Sequence, residues 1–223
     1  MVDHYAPFHF NEPMTNTMTF ILASGSPRRR QLLAELGISP QVIKPDIPEV
    51  RQKGETPLQY VRRLSIEKAE AVVAMLGSST TDVVILAADT TVILAADTIG
   101  IETDGQILEK PVDADDARRM LRRLRNRPHQ VCTAFTLLKI GDQPQRVTEV
   151  VCTTVYMRDY TDDEIEVYIA SGDPFDKAGA YAIQNEDFAP VARIEGSYTN
   201  VVGLPLEAVE KALKSLGWPL STQ

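Results

Sequence analysis

Phe20-Ile21-Leu22-Ala23-Ser24-Gly25-Ser26-Pro27-Arg28-Arg29-Arg30 runs into Gln31-Leu32-Leu33-Ala34-Glu35-Leu36-Gly37. The apolar start reads as a strand. Small hydroxyl residues end it, Ser26 is placed to cap a helix, and Pro27 suits the helix's first position. A strand running straight into a helix is the opening unit of an α/β protein. The helix start presents unpaired backbone N–H groups and a partial positive charge. Hydroxyls and guanidinium groups added there make a cradle for a phosphate chain. Cations in a first turn oppose the helix dipole, so a bound anion would relieve a local conflict. The competing reading is a plain cap followed by solvated arginines.

The chain has 223 residues, enough for one α/β domain with a substantial core, and its composition is ordinary for a globular protein. A formal net charge of −8 argues against a general nucleic-acid binder, which needs a broad basic surface. A small anionic ligand needs only a local basic pocket. No run of apolar residues is long enough to suggest a membrane span, and residues 1–18 lack the pattern of a secretory signal. That segment is expected to be a disordered or loosely packed extension, leaving 19–217 as a single domain in a cytoplasmic protein. Cys132 and Cys152 fit no metal-ligand spacing and fall in two strand-like runs joined at Gly141-Asp142-Gln143-Pro144. They are expected to be buried free thiols that come near each other.

Strands and helices alternate without a linker. Gln41-Val42-Ile43 is a short strand, and Thr56-Pro57 starts a helix to about Leu76. Val83 to Ile101 reads as extended, and Asp113 to Leu124 as an amphipathic helix. Val131 to Ile140 and Val147 to Met157 read as paired strands. Thr161-Asp162-Asp163-Glu164 begins another helix, Val191 to Glu195 and Asn200 to Val202 are strand-like, and Leu206 to Leu216 closes the chain. The pattern predicts a mixed-sheet α/β fold with two lobes around a cleft.

The extended run contains an exact repeat, Val84-Ile85-Leu86-Ala87-Ala88-Asp89-Thr90 and Val92-Ile93-Leu94-Ala95-Ala96-Asp97-Thr98. An even period puts both aspartates on one face of a strand, but roughly 26 Å apart, so one site holds only one of them. Thr103-Asp104-Gly105 carries turn chemistry, with Gln106 to Lys110 returning. That turn is expected to fold Lys110 back toward residues 97 to 99, which makes Asp97 with Thr98 the preferred copy and Asp89 the alternative. A carboxylate beside lysines can activate water or hold a cation on phosphates. The loop from Ser171 to Gln184 offers glycines for close backbone approach and Lys177 for charge. Its Gln184 amide can read the imide edge of a pyrimidine. Lys68 and Glu49, taken singly, read as solvated surface residues.

Ser24-Gly25-Ser26-Pro27-Arg28-Arg29, Ala96-Asp97-Thr98, Glu109-Lys110-Pro111 and Asp176-Lys177-Ala178-Gly179-Ala180-Tyr181-Ala182-Ile183-Gln184, in that order, closely resemble the Maf family of nucleoside triphosphate pyrophosphatases. The resemblance spans roughly residues 19 to 217. It implies a fold related to the inosine triphosphate pyrophosphatases, with the nucleotide in a cleft between lobes. It further implies a divalent metal, Mg2+ or Mn2+, and hydrolysis between the α- and β-phosphates. The double arginine, Ala-Asp-Thr and Ile-Gln look like the branch acting on dTTP and UTP. Arg29, Thr98 and Gln184 would then sort substrates. By the same match Asp97 is the proton acceptor, and Ser24, Ser26, Arg28, Lys68, Lys110 and Lys177 surround phosphate or metal, with Glu49 helping Asp97 hold the metal. A homodimer is what the family suggests. The alternatives are a pyrophosphatase for 7-methyl-GTP or other modified nucleotides, and a non-catalytic nucleotide-binding regulator of cell division. Two departures stand out: the motif around the catalytic aspartate is doubled, and Ala182 and Asn185 stand where glycines are common.

Overall fold

A computed structural model describes residues 18–77, 82–94 and 106–220. A long strand, β3 (Val83–Leu94), is the spine of a mixed seven-stranded sheet. One edge of β3 is filled along its whole length by β5 (Pro128–Ile140), antiparallel. Beyond β5 lie β6 (Gln145–Met157) and β7 (Val191–Glu195), both antiparallel to their neighbours. The other edge is shared. β1 (Thr19–Leu22) pairs with its first residues in parallel and carries the short β2 (Gln41–Val42) on its far side. β4 (Ile107–Leu108) pairs antiparallel with Val92 and Ile93. Between the end of β1 and the end of β4, that edge of β3 is unpaired from Ala87 to Thr91. Both flanking strands run toward this gap, so the segments that follow them converge on it. A crevice outside the carboxyl ends of strands is where α/β sheets place their ligands.

Local chemistry explains the helices. α1 (Pro27–Glu35) is capped by the Ser26 hydroxyl, which accepts the Arg29 N–H, and Pro27 stands in its first turn. Thr56 and Gln59 form a capping box at the start of α2 (Pro57–Leu76), as Thr161 and Glu164 do for α4 (Asp162–Ala170). Asp113 caps α3 (Ala114–Leu124). α5 (Tyr198–Val202) and α6 (Leu206–Ser215) complete the helices.

Alternation along β3 sends side chains to both faces of the sheet. Val84, Leu86 and Ala88 pack with Leu33 of α1 and Val209 and Leu213 of α6. Ile85 and Ala87 face the other way, toward Ala69 and Val72 of α2. A third cluster joins Val92 to Leu121 and Leu124 of α3 and Ile165 of α4. These side chains are almost wholly buried, and each Val, Leu or Ile among them contributes on the order of 1.5–3 kcal/mol. Among the described residues no helix is long and apolar enough to cross a membrane.

The structure corrects three expectations. Cys132 and Cys152 are not free thiols: they stand directly opposite in the β5–β6 register, 4.1 Å apart at Cα, and form a disulfide. Redox compartment was the ground for expecting thiols, but register brings the sulfurs together regardless. Asn200 to Val202 is not a strand. It lies in α5, where the Ser197 side chain accepts the Asn200 N–H as an N-cap. The hairpin register also differs. Val92 opposite Leu108 and Ile93 opposite Ile107 carry Lys110 toward Thr90, not toward residues 97 to 99. The shift equals the period of the repeat. β3 thus takes in the whole of the first copy and the Val92-Ile93-Leu94 start of the second, and the β3–β4 register sets Lys110 level with the first copy's Thr90. Asp97, Thr98 and that turn lie outside the described residues, as does the expected extension up to residue 17.

Candidate active site

The gap on β3 opens into a cleft of about 560 Å³. Every candidate named from the sequence that the structure describes lines it: Ser24, Ser26, Arg28, Arg29, Glu49, Lys68, Asp89, Lys110, Lys177 and Gln184. The described lining carries six cations (these arginines and lysines with Lys44) against four carboxylates, Glu49, Asp89, Glu109 and Asp176. In a chain of net charge −8 this is a local excess of positive charge.

Asp89 lies at the unpaired edge and is only 8% exposed. Lys68 reaches it from α2, with Nζ 2.7 Å from Oδ1, and the same ammonium lies 2.8 Å from Glu49 Oε1. Lys68 is itself buried, because it follows Tyr60 and Leu64 at helical spacing on the face of α2 that meets the sheet. That spacing is the signal that separates it from a solvated lysine. Tyr60 donates its hydroxyl to the Glu49 carbonyl at 3.0 Å. Burial, and then the nearby Asp89, Glu109 and Glu49 carboxylates, push its phenol up to about 12, so it remains a donor.

On the other face of β3, Arg29 is locked in place. Its Nε donates to the Gly203 carbonyl, Nη1 to Ser24 Oγ and the Ala88 carbonyl, and Nη2 to Thr90 Oγ1. Thr90 lies 2.9 Å from Thr133 Oγ1, which donates in turn to the Asn200 carbonyl. Loss of solvent lowers the Arg29 pKa, while Asp89 and Glu49 counteract the effect. The guanidinium thus ties the Ser24 loop to the first Asp-Thr copy and to the end of α5. Arg28, one residue earlier, points elsewhere: its Nη2 donates to both carboxylate oxygens of Asp176, at 3.2 and 3.1 Å. Arg30 is exposed.

The third wall comes from two short 3-10 turns, Asp173–Asp176 and Ala178–Ala180. Gly179 has φ +74°, and a Cβ there would meet Val92 Cγ2 at 3.1 Å, so the close approach to β3 requires glycine. Lys177 is 6% exposed and bonds Asp173 Oδ1 at 2.7 Å and Asp176 Oδ1 at 2.6 Å. Tyr181 anchors the segment from below, with its hydroxyl 2.7 Å from His129 Nε2. Burial pushes the His129 pKa down to about 3, so the ring stays neutral.

Sequence reasoning passed over Lys44, Tyr60, Thr90 and the role of Asp176. Lys44 lays its stem against Gly25, where a Cβ would meet Cδ at 3.2 Å, and its place in the cleft depends on contact across a loop. Among the described residues no group of three or more His, Cys, Asp or Glu is arranged to hold a metal. Glu49 and Asp89, converging on one ammonium, are the carboxylate pair nearest that role.

The Maf-like protein family model matches residues 19–216. A dTTP/UTP pyrophosphatase from Chromobacterium violaceum is 45% identical over 209 residues, covering 92% of this chain and 98% of that protein. A dTTP/UTP pyrophosphatase from Vibrio vulnificus is 45% identical over 193 residues, covering 86% and 96%. Among solved structures, a HAM1 protein from Coxiella burnetii is matched with a TM-score of 0.45 at 14% identity, over 89% of this chain and all of that one. With the family model covering nearly the whole described region and two relatives at this identity, the chain belongs to the Maf-like family.

Proposed function

We propose that this protein hydrolyses dTTP and UTP to the nucleoside monophosphate and pyrophosphate, with Asp89 as the proton acceptor. The observation that carries the reading is the buried Asp89 carboxylate in the gap between β1 and β4, facing Lys68 inside a cation-lined cleft. The 45% identity to dTTP/UTP pyrophosphatases supports the substrate class.

The chemistry follows from the residue types. Water attacks the α-phosphorus and loses a proton to the Asp89 carboxylate. The bond from that phosphorus to the bridging oxygen breaks, and pyrophosphate leaves with the pair of electrons. Arg28, Lys44, Lys110 and Lys177 hold the phosphate chain and stabilise charge growing on it, while Ser24 and Ser26 donate to its oxygens. Lys68 keeps Asp89 oriented. The Gln184 amide reads the imide edge of thymine or uracil. Arg29 sorts substrates by fixing the pocket's shape, since its donors already face Gly203, Ser24, Ala88 and Thr90. Thr90 fills the place given to Thr98 by the family match.

Glu49 and Asp89 fit a divalent cation of the Mg2+ or Mn2+ kind, because such ions take one or two carboxylates and complete their shell with substrate phosphates and water. That cation would neutralise phosphate charge at the reacting end.

Release of pyrophosphate from dTTP, UTP, CTP and 7-methyl-GTP by the full chain with Mg2+ or Mn2+ tests the proposal. Pyrophosphate with dTMP and UMP is the expected result. Silence on dTTP and UTP at micromolar enzyme, preference for 7-methyl-GTP, or orthophosphate as the product would refute it.

A further inference from the structure

Two carboxylates in the third wall hold Lys177, and they are built differently. Asp173 is fixed: besides Lys177 it accepts from the Tyr168 hydroxyl at 2.8 Å and from Asn185 Nδ2 at 3.1 Å. Among the described residues Asp176 is bound only by cations, Lys177 Nζ and Arg28 Nη2, and its side chain is 68% exposed. Arg28 stands in the first turn of α1, so this contact spans the cleft. Two oxygens in one plane, one of them shared with a buried ammonium, present these cations with what a phosphate group would present. Lys44 and Lys110, by contrast, have no carboxylate within ion-pair distance among the described residues, so they meet an incoming polyphosphate unencumbered.

We infer that Asp176 is a phosphate stand-in, holding Arg28 and Lys177 in the nucleotide-free protein and competing with pyrophosphate for them after the reaction. The inference rests on the proposed function. An exposed carboxylate with a clear path to water swings away easily when a more highly charged group arrives. Lys177 then keeps Asp173 as a partner, so its ammonium does not move. When the nucleotide has been cleaved, the same carboxylate returns and helps displace the product. A competitor bound through exposed ion pairs is worth up to about a fivefold effect on affinity.

The test compares wild type with Asp176→Asn and Asp176→Glu in two assays: turnover of dTTP, and direct calorimetric binding of pyrophosphate alone. With Asn the pyrophosphate inhibition constant and the KM for dTTP both fall by about two- to fivefold, and kcat falls where product release limits it. Glu restores both toward wild type. A merely structural role would lower the melting temperature and leave the pyrophosphate constant alone. An active Asn variant whose pyrophosphate affinity is unchanged or weaker overturns the inference, as does collapse of kcat with no tightening. Should the Asn variant fail to fold, Asp176→Ser carries the same readout. If wild type does not hydrolyse dTTP, the functional proposal fails on that result. The stand-in role is then decided by pyrophosphate binding alone.

Discussion

Two arginine-rich runs stand in this chain, and they have opposite fates. At the start of α1, Arg29 is enclosed and donates to two carbonyls and two hydroxyls, while Arg28 spans the cleft to Asp176. Along α3 and just after it, Arg118, Arg119, Arg122 and Arg125 pair with carboxylates: Arg118 with the exposed Glu166 and Asp115, Arg119 with the buried Asp116, and the last two with the exposed Asp162. A concavity beside α3 is lined by five arginines, yet most of their charge is already balanced by acids on α3 and α4. An arginine run therefore does not by itself make an anion site. What distinguishes the cleft is that its cations stand at a gap in the sheet, partly out of water, with Arg29 held by carbonyls and hydroxyls that carry no charge and Lys44 and Lys110 paired with no carboxylate among the described residues.

The largest effect is expected at the acid the cleft surrounds. Asp89→Asn should cut turnover about 10²- to 10⁴-fold, while Asp97→Asn leaves it close to wild type. The reverse pattern would move the proton acceptor to the second copy. Arg29→Lys removes the planar fork and leaves the Gly203 and Ala88 carbonyls without their donor. A loss of about 2–3 kcal/mol, read from the denaturant midpoint, is expected. An unchanged midpoint would mean the enclosed arginine is no more structural than those on α3.

His129 offers a pH test of the same buried region. It is neutral when folded, with its pKa pushed down to about 3, and takes a proton near 6.5 once unfolded. The unfolded state thus binds more protons between these values. The His129 contribution is complete above about pH 6.5 and is lost as the pH falls. Between pH 6.5 and 5 the loss is about 2 kcal/mol. His129→Phe should flatten the stability profile in that window, and an identical slope in the variant would count against a buried neutral imidazole. The smallest effect is expected at the surface. Arg122→Gln should shift stability by no more than about 0.5 kcal/mol and leave dTTP turnover alone, because exposed ion pairs contribute little. A marked fall in activity would give the α3 concavity a role the cleft now holds alone.

Much of the site was legible from local chemistry. The glycine at residue 179 is demanded by its approach to Val92 in β3, whereas Ser26 and Pro27 at a helix start are decided by neighbours in sequence. The choice between Asp89 and Asp97 was not. Both copies have the same residues, the same face and the same strand propensity, and the Asp104-Gly105 turn pointed to the wrong pairing. Asp176 was visible as part of a motif, but its partner Arg28 is 148 residues away.

The alternation of strands and helices, the capped start of α1 and the family whose motifs the chain carries follow from the sequence alone. Those depend on interactions a few residues long, which composition and spacing report directly. Only the tertiary structure decided the β3–β4 register, the bridge between Cys132 and Cys152, and the enclosure of Arg29. Each depends on which distant segments are brought side by side. A repeat of even period satisfies the pleat of a strand in either register, so the placement of β4 along β3, not the residues of the repeat, decides that Lys110 stands level with the first copy.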